Sequence, residues 1–161
     1  MRTKKFLHFA VLFILFFFPA KAFATDGWTF EQIDAACDFT SMWGSSENDI
    51  YVGGGKALGG CLYHYDGTGW SSLSLSPFTP IVFDIWESSS NDVYVVGLVG
   101  RYHYNGISWT QFSSSVGQSI WGSSSSDVFA GDTDIKRYDG STWSTMTIPS
   151  MTSPSIRGIW G

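Results

Sequence analysis

The sequence predicts an all-β protein built from a repeated unit of four short antiparallel strands. Two alternating tryptophan motifs carry this prediction. The first, W-[GE]-S-S-x-x-D-[IV]-[YF], begins at Trp43, Trp86 and Trp121, and the second, Y-[DN]-G-x-x-W, ends at Trp70, Trp109 and Trp143. Successive copies of the first motif are 43 and 35 residues apart. A pattern that recurs at roughly 20 to 50 residues is typical of repeat architectures.

The second unit shows the four strands most clearly. Residues 81–86 and 93–96 are rich in β-branched and aromatic side chains, which favour strands. Residues 101–104 and 108–112 follow as the third and fourth strands, separated by Asn105-Gly106, a dipeptide that favours a tight turn. We name the four strands of a unit A, B, C and D in chain order. Units of four strands at this spacing predict the blades of a β-propeller.

The repeat resembles the tryptophan-rich W-G-S-S-x-x-D-V repeats of secreted bacterial β-propeller proteins, as in residues 120–129. It is also similar to kelch repeats, whose Gly-Gly pair only unit 1 keeps, as Gly53-Gly54. Residues 139–143 are similar to the Asp-box of sialidase-type propellers but are one residue shorter. The resemblance implies a propeller fold over essentially the whole mature chain, and such folds serve unrelated functions.

The expected domain organisation is therefore a leader followed by a partial propeller over residues 25–161. Its boundaries are blade 1 at about 41–73, blade 2 at about 81–114, blade 3 at about 119–147, and lone strands at 27–31 and 156–161. Propellers have typically four to eight blades. We expect an open arc that either belongs to a longer protein with further blades or self-associates through its end blades.

Residues 1–24 have the anatomy of a secretory signal peptide. Basic residues open the chain, an apolar run covers residues 6–18, and Ala22-Phe23-Ala24 supplies the small-x-small cleavage pattern. The apolar run is shorter than the about 20 residues that a spanning helix needs. The protein is therefore expected to be exported to the periplasm, the cell surface or the medium, with no membrane insertion after cleavage.

The charge of the mature chain argues against nucleic-acid binding. The whole sequence has a net charge of −5, and four of its nine basic residues lie within residues 1–24. Five basic and 14 acidic residues remain, which gives −9. Phosphate contacts need clustered Lys and Arg, so we expect no nucleic-acid partner.

Loop lengths indicate one end of the blades as a ligand face. The A–B and C–D turns have constant length, whereas the B–C and D–A connections vary, and binding residues are often carried on variable loops. These loops hold the ligand-face candidates Lys56, Leu58, Phe78, Leu98, Val99, Asp132, Asp134 and Met151. The alternative is that these loop lengths are simply tolerated.

No residue set in the sequence amounts to an active site, and we expect no catalytic residues, no metal site and no cofactor. His64 and His103 occupy the same place in neighbouring units, too far apart to share a metal ion if the units stack as separate sheets. A glycosidase of the Asp-box type would need paired carboxyl groups, and the mature chain has only the glutamates Glu31, Glu47 and Glu87. The tryptophans could stack on sugars, but their regular spacing favours packing between blades.

Cys37 and Cys61 are the only cysteines. Export implies an oxidising compartment, so we predict that they form a disulfide. The best-supported function is a secreted, non-catalytic binding or scaffolding module whose protein or glycan ligand is unknown. The alternative is a fragment of a larger exported protein, either carbohydrate-binding or an Asp-box-like glycosidase.

Cleavage after Ala24 is the first testable prediction. The mature chain should begin at Thr25, because the Ala-Phe-Ala pattern ends there. Intact-mass spectrometry of protein recovered from the export compartment measures this directly. Recovery of exported protein that retains residues 1–24 would contradict the prediction.

Overall fold

Three four-stranded antiparallel sheets make up the part of the chain that the structure, a computed structural model, describes: residues 33, 37–56, 59–75, 79–148 and 155–161. The leader expected over 1–24 and the strand expected over 27–31 lie outside these residues. Each sheet is a simple up-and-down meander in chain order, and the sheets do not close into a ring. The predicted all-β, open propeller-like fold is thereby confirmed.

Blade 1 contains β1 (Phe39–Ser46), β2 (Asp49–Lys56), β3 (Gly59–Tyr65) and β4 (Trp70–Ser72). Blade 2 contains β5 (Val82–Ser89), β6 (Asp92–Gly97), β7 (Gly100–Tyr104) and β8 (Trp109–Ser113). Blade 3 contains β9 (Ser119–Ser124), β10 (Asp127–Gly131), β11 (Ile135–Tyr138) and β12 (Trp143–Met146). Each blade falls at the place that the tryptophan motifs predict.

The turn between the third and fourth strands is built alike in every blade. Gly67, Gly106 and Gly140 have φ values of 87°, 86° and 92°, a left-handed region that side chains with a Cβ rarely adopt. A Cβ on each would also lie against the A–B turn of the same blade, at Asn48, Asn91 and Ser126. The two constant turns of each blade therefore share one end, as the up-and-down order of the strands requires.

The first strands β1, β5 and β9 lie side by side and join the blades. Asp84 on β5 connects all three of them. Its Oδ1 accepts a hydrogen bond of 3.1 Å from the Ser41 hydroxyl on β1, and its Oδ2 accepts one of 2.9 Å from the Ile120 amide on β9. Burial raises the pKa of Asp84, and these two donors together with the Ile85 amide counteract that increase.

Apolar side chains fill the two spaces between neighbouring blades. Between blades 1 and 2, Ile85 and Val82 pack with Tyr51, Leu62 and Val95. Between blades 2 and 3, a second cluster contains Trp86, Tyr94, Ile120, Val128 and Ala130. Large side chains pack against glycines. A Cβ added to Gly53 would lie only 2.6 Å from Cγ1 of Val82.

Residues 155–161 occupy the position of a first strand on blade 3. Ile156, four residues before Trp160, lies against Gly131 as Val82, four residues before Trp86, lies against Gly53. Gly161 lies against the Trp121 ring as Gly122 lies against the Trp86 ring. No strand is assigned here, in contrast to the lone strand expected over 156–161, because no second strand among the described residues pairs with this segment.

Equivalent positions differ in exposure at the outer end of blade 1. Ile85 and Ile120, each one residue before a first-motif tryptophan, are 1% and 3% exposed between blades. Met42, their equivalent on β1, is 71% exposed. The expected addition of further blades, or self-association through this end, stays a prediction.

The predicted Cys37–Cys61 disulfide is confirmed. The two Cα atoms are 6.4 Å apart, and the bridge ties the chain just before β1 to the start of β3. This distance lies within the range that disulfides accept. Among the described residues there is no helix long and apolar enough to span a membrane.

The close approach of Trp86 to Gly122 generates a stability prediction. A Cβ on residue 122 would lie 2.6 Å from Cη2 of Trp86, a rigid side chain that is 4% exposed. Gly122→Ala should therefore lower the free energy of unfolding by about 1–3 kcal/mol, the usual cost of overpacking, as measured by urea denaturation. Gly59→Ala is the matched control, because nothing lies within 4 Å of its added Cβ. Equal stability of the two variants would contradict the proposed packing.

Candidate functional site

A cleft of about 580 Å³ lies along the first strands, near the end that carries the A–B turns. All three blades contribute to its walls. The first-motif tryptophans Trp43, Trp86 and Trp121 line it together with Glu87, with serines from β5 and β9, and with Gly161. The cleft therefore combines aromatic surface, hydroxyl groups and a single side-chain carboxyl group.

Glu87 is the one position in the cleft where the repeat changes its residue type. Units 1 and 3 read W-G-S-S, with Gly44 and Gly122 after the tryptophan, whereas unit 2 reads W-E-S-S. Gly122 is the residue on which the Trp86 ring rests. Glu87 is the equivalent of Gly122 in the preceding unit. It therefore occupies, next to blade 1, the position that Gly122 occupies next to blade 2.

The side chain of Glu87 is buried between blades 1 and 2. The residue is 4% exposed, and its Oε1 accepts a hydrogen bond of 2.6 Å from the backbone amide of Ser45. Burial raises the pKa of the Glu87 carboxyl, the negative charge of Asp49 raises it further, and the Ser45 hydrogen bond acts in the opposite direction. Glu87 therefore holds the A–B turn of blade 1 against the first strand of blade 2.

Two polar atoms of the cleft residues have no hydrogen-bond partner among the described residues. They are Oε2 of Glu87 and Nε1 of Trp43, and both are shielded from solvent. One is an acceptor and the other a donor. A buried polar atom without a partner costs about 1–3 kcal/mol.

A second group of polar residues recurs in every blade and joins the A–B turn to the third strand. In blade 2, Asp92 accepts hydrogen bonds from the Ser88 hydroxyl through Oδ2 and pairs with Nε2 of His103 through Oδ1 at 2.6 Å. The ring of His103 stacks on Tyr94 with centroids 4.2 Å apart. We call this set of residues the aspartate clamp.

The clamp is repeated with small changes in the other blades. In blade 1, Asp49 bonds to Ser45 at 2.8 Å and to His64 at 2.7 Å. In blade 3, Asp127 bonds to Ser123 at 2.7 Å and to Arg137 at 2.8 Å. His64 and His103 occupy equivalent positions of the repeat, and each is paired with the aspartate of its own blade.

The clamp has the residue types of a hydrolytic triad but not its order. In a catalytic triad the histidine lies between serine and carboxylate, where it removes the serine proton. Here the aspartate lies in the middle and accepts from both neighbours, so the histidine cannot act as the base for the serine. The replacement of histidine by Arg137 in blade 3 agrees with a structural role.

The described ligand-face candidates lie at the other end of the blades. Lys56 ends β2 and forms an exposed ion pair of 3.5 Å with Asp38. Leu98 and Val99 form the turn between β6 and β7 and are exposed. Leu58, Phe78 and Met151 lie outside the described residues.

Asp132 and Asp134, the two remaining candidates, take part in contacts of the fold. The Asp132 carbonyl accepts the amide of Ile156 at 2.8 Å. Asp134 pairs with Lys136 at 3.1 Å and with Arg101, a fully buried residue of blade 2, at 3.3 Å. Arg101 also donates to the Val116 carbonyl through Nε and Nη2. Asp134 therefore helps to hold blade 3 to blade 2.

Within the described ranges, no three His, Cys, Asp or Glu side chains are grouped so that they could hold a metal ion. Loop lengths do not predict the cleft, because they vary at the opposite end of the blades. The signal that could have found it is the single W-E-S-S among the W-G-S-S motifs.

No protein-family model matches the chain, and a search of curated proteins found no match either.

The C–D turns generate a prediction on acid titration. A threonine and backbone amides hold the pKa values of two exposed carboxyl groups at about 2: for Asp66 mainly the Thr68 hydroxyl, for Asp139 mainly the Thr142 amide. Because these folded-state values lie below the ordinary 3.8, the turns stabilise the fold above pH about 4 and lose this contribution as the pH falls through about 2.

Carboxyl carbon NMR shifts should therefore titrate at about 2 for both residues. Thr68→Val removes the leading cause at Asp66 and should raise only that pKa toward its ordinary value. Asp139 serves as the internal control in the same sample. An unchanged titration of Asp66 in the variant would show that the Thr68 hydroxyl does not lower its pKa.

Proposed function

We propose that the protein is an exported, non-catalytic binding module of the propeller-repeat type, and that its ligand site is the tryptophan cleft. The observation that carries this proposal is Glu87. It is the place where the cleft departs from the repeat, and the side chain introduced there is a buried carboxyl group with an unpartnered oxygen.

The other repeated polar groups support the same proposal because the fold already uses them. The aspartate clamps bind residues of their own blades, and Asp84 binds the first strands of the neighbouring blades. Oε2 of Glu87 and Nε1 of Trp43, in contrast, have no hydrogen-bond partner among the described residues. A cleft with aromatic walls and a few convergent polar groups is the usual form of a small-ligand site.

A binding role is favoured over a hydrolytic one by the number of carboxyl groups. Most glycosidases act with two carboxyl groups about 5–9.5 Å apart. Among the described residues that line the cleft, Glu87 alone carries a side-chain carboxyl group. The confirmed disulfide supports export, because such bridges persist in oxidising compartments.

Indole N–H signals of a ¹⁵N-labelled protein test the location of the site without assuming the ligand. The titrants are a small library of neutral sugars, alkylammonium salts, amino acids and nucleotides. We expect at least one member to shift the indole signals of Trp43, Trp86 and Trp121. Trp70 and Trp109, which pair with tyrosines on third strands away from the cleft, should stay unchanged.

Two outcomes of the same titration would contradict the proposed site. Shifts confined to the turn at Leu98 and Val99 would place binding at the variable-loop end instead. A library without any effect on the cleft tryptophans, at concentrations in the millimolar range, would contradict a small-ligand site there.

A further inference from the structure

We propose that residues 155–161 are a strand-accepting edge, on which a β-strand of another polypeptide pairs antiparallel and places an aromatic side chain opposite Trp160. We call residues 155–161 the edge segment. The inference goes beyond the ligand cleft and starts from the repeat. The edge segment occupies the position of a first strand, but no second strand lies beside it among the described residues.

A backbone hydrogen bond shows that the edge segment continues the stack of blades. The Ile156 amide donates to the Asp132 carbonyl at 2.8 Å. The equivalent bond joins blade 3 to blade 2, where the Gly117 amide donates to the Gly97 carbonyl at 3.1 Å. Ile156 and Gly117 each lie four residues before a tryptophan. The edge segment is therefore held on blade 3 as β9 is held on blade 2.

The outer side of the edge segment is open. Trp160 is 89% exposed, whereas Trp86, its equivalent on β5, is 4% exposed. A Cβ on Gly158 would have nothing within 4 Å. Apart from Ile156, no residue of the segment donates a backbone hydrogen bond to a described backbone carbonyl. Free backbone donors and acceptors along such a segment are a template for strand addition.

The repeat defines the register and the chemistry of the strand that fits. In every blade the first-motif tryptophan lies opposite an aromatic residue of the second strand, in the pairs Trp43 and Tyr51, Trp86 and Tyr94, and Trp121 and Phe129. The rings of the last two pairs have centroids 5.8 and 6.3 Å apart. Directly opposed aromatic side chains stabilise paired strands. A strand on the edge segment should therefore carry Tyr or Phe opposite Trp160.

The strands of this chain are already committed, which points to a different polypeptide as the donor. The second strands β2, β6 and β10 each lie between two neighbours in their own sheet. The fourth strands β4, β8 and β12 have a free edge, but their tryptophan rings lie 5.3–5.4 Å from tyrosines of their own blades. A second copy would have to give up one of these contacts to supply the strand.

The test adds a strand in trans to the ¹⁵N-labelled mature protein. The probe is a synthetic peptide with the sequence of β6, Asp92–Gly97, flanked by lysines for solubility. We expect the backbone amide signals of the edge segment to shift and their hydrogen exchange to slow. The amides of β12, at the other end of blade 3, should not change. A peptide with alanine in place of the tyrosine should bind roughly threefold or more weakly, because the aromatic pair is lost.

Trp160→Ala tests the register. The side chain is exposed, so its removal leaves the packing of the described residues intact. The variant should bind the tyrosine peptide roughly threefold or more weakly than the wild type does. It should bind the alanine peptide as the wild type does, because the two aromatic residues act as a pair. Ile107→Ala is the matched control, since Ile107 is an 88% exposed apolar residue of the blade 2 C–D turn. It should bind both peptides unchanged.

Four results would overturn the proposal. One is an edge segment whose amides do not respond to the peptide at millimolar concentration. Another is a response that is confined to the free edges at β4, β8 or β12. A third is an equal loss of affinity for both peptides in Trp160→Ala. The last is an edge segment that is protected from exchange without peptide, whether in the monomer or as the protein concentration rises. The strand would then come from the same chain or from a second copy.

Discussion

The packing of each first strand against the preceding blade is the contact on which the structure depends. A single four-stranded sheet of this size cannot bury its apolar face alone, so stability accumulates by stacking units. The stacking is specific because large residues meet small ones: Val82 meets Gly53, and the Trp86 ring meets Gly122. Residues 155–161 meet blade 3 in the same way, whereas Met42 has no such neighbour among the described residues.

The polar side chains stabilise this architecture through hydrogen bonds within blades and between them. The aspartate clamps fix the A–B turn to the third strand within a blade, and Asp84 fixes one first strand to the next. These groups are hydrogen-bonded within the fold, so they satisfy the requirement that buried polar atoms have partners. Chemistry that depends on a free acid, base or nucleophile would need groups that this network does not already occupy.

The strands could be predicted because they depend on local spacing, and the disulfide because Cys37 and Cys61 are the only cysteines of a chain expected to be exported. The constant interval from Trp86 to Asp92 defines an A–B turn, and Asn105-Gly106 defines a C–D turn, whatever the neighbouring blades do. The cleft could not be predicted in this way, since its walls come from three separate sheets. Loop length also pointed to the opposite end, where Asp134 proves to hold blade 3 to blade 2 through Arg101.

The position of Glu87 shows how a repeat protein can carry a specific site on a uniform scaffold. A residue that serves the fold should be interchangeable between units, and the glycine after the tryptophan meets this expectation at residues 44 and 122. A buried carboxyl group at the equivalent place adds a desolvation cost that glycine avoids, and only one of its oxygens is bonded. In return, Oε1 of Glu87 accepts the Ser45 amide and ties the A–B turn of blade 1 to blade 2, a hydrogen bond that Gly122 has no side chain to make between blades 2 and 3. The departure from the repeat therefore strengthens one joint between blades and leaves Oε2 without a partner among the described residues.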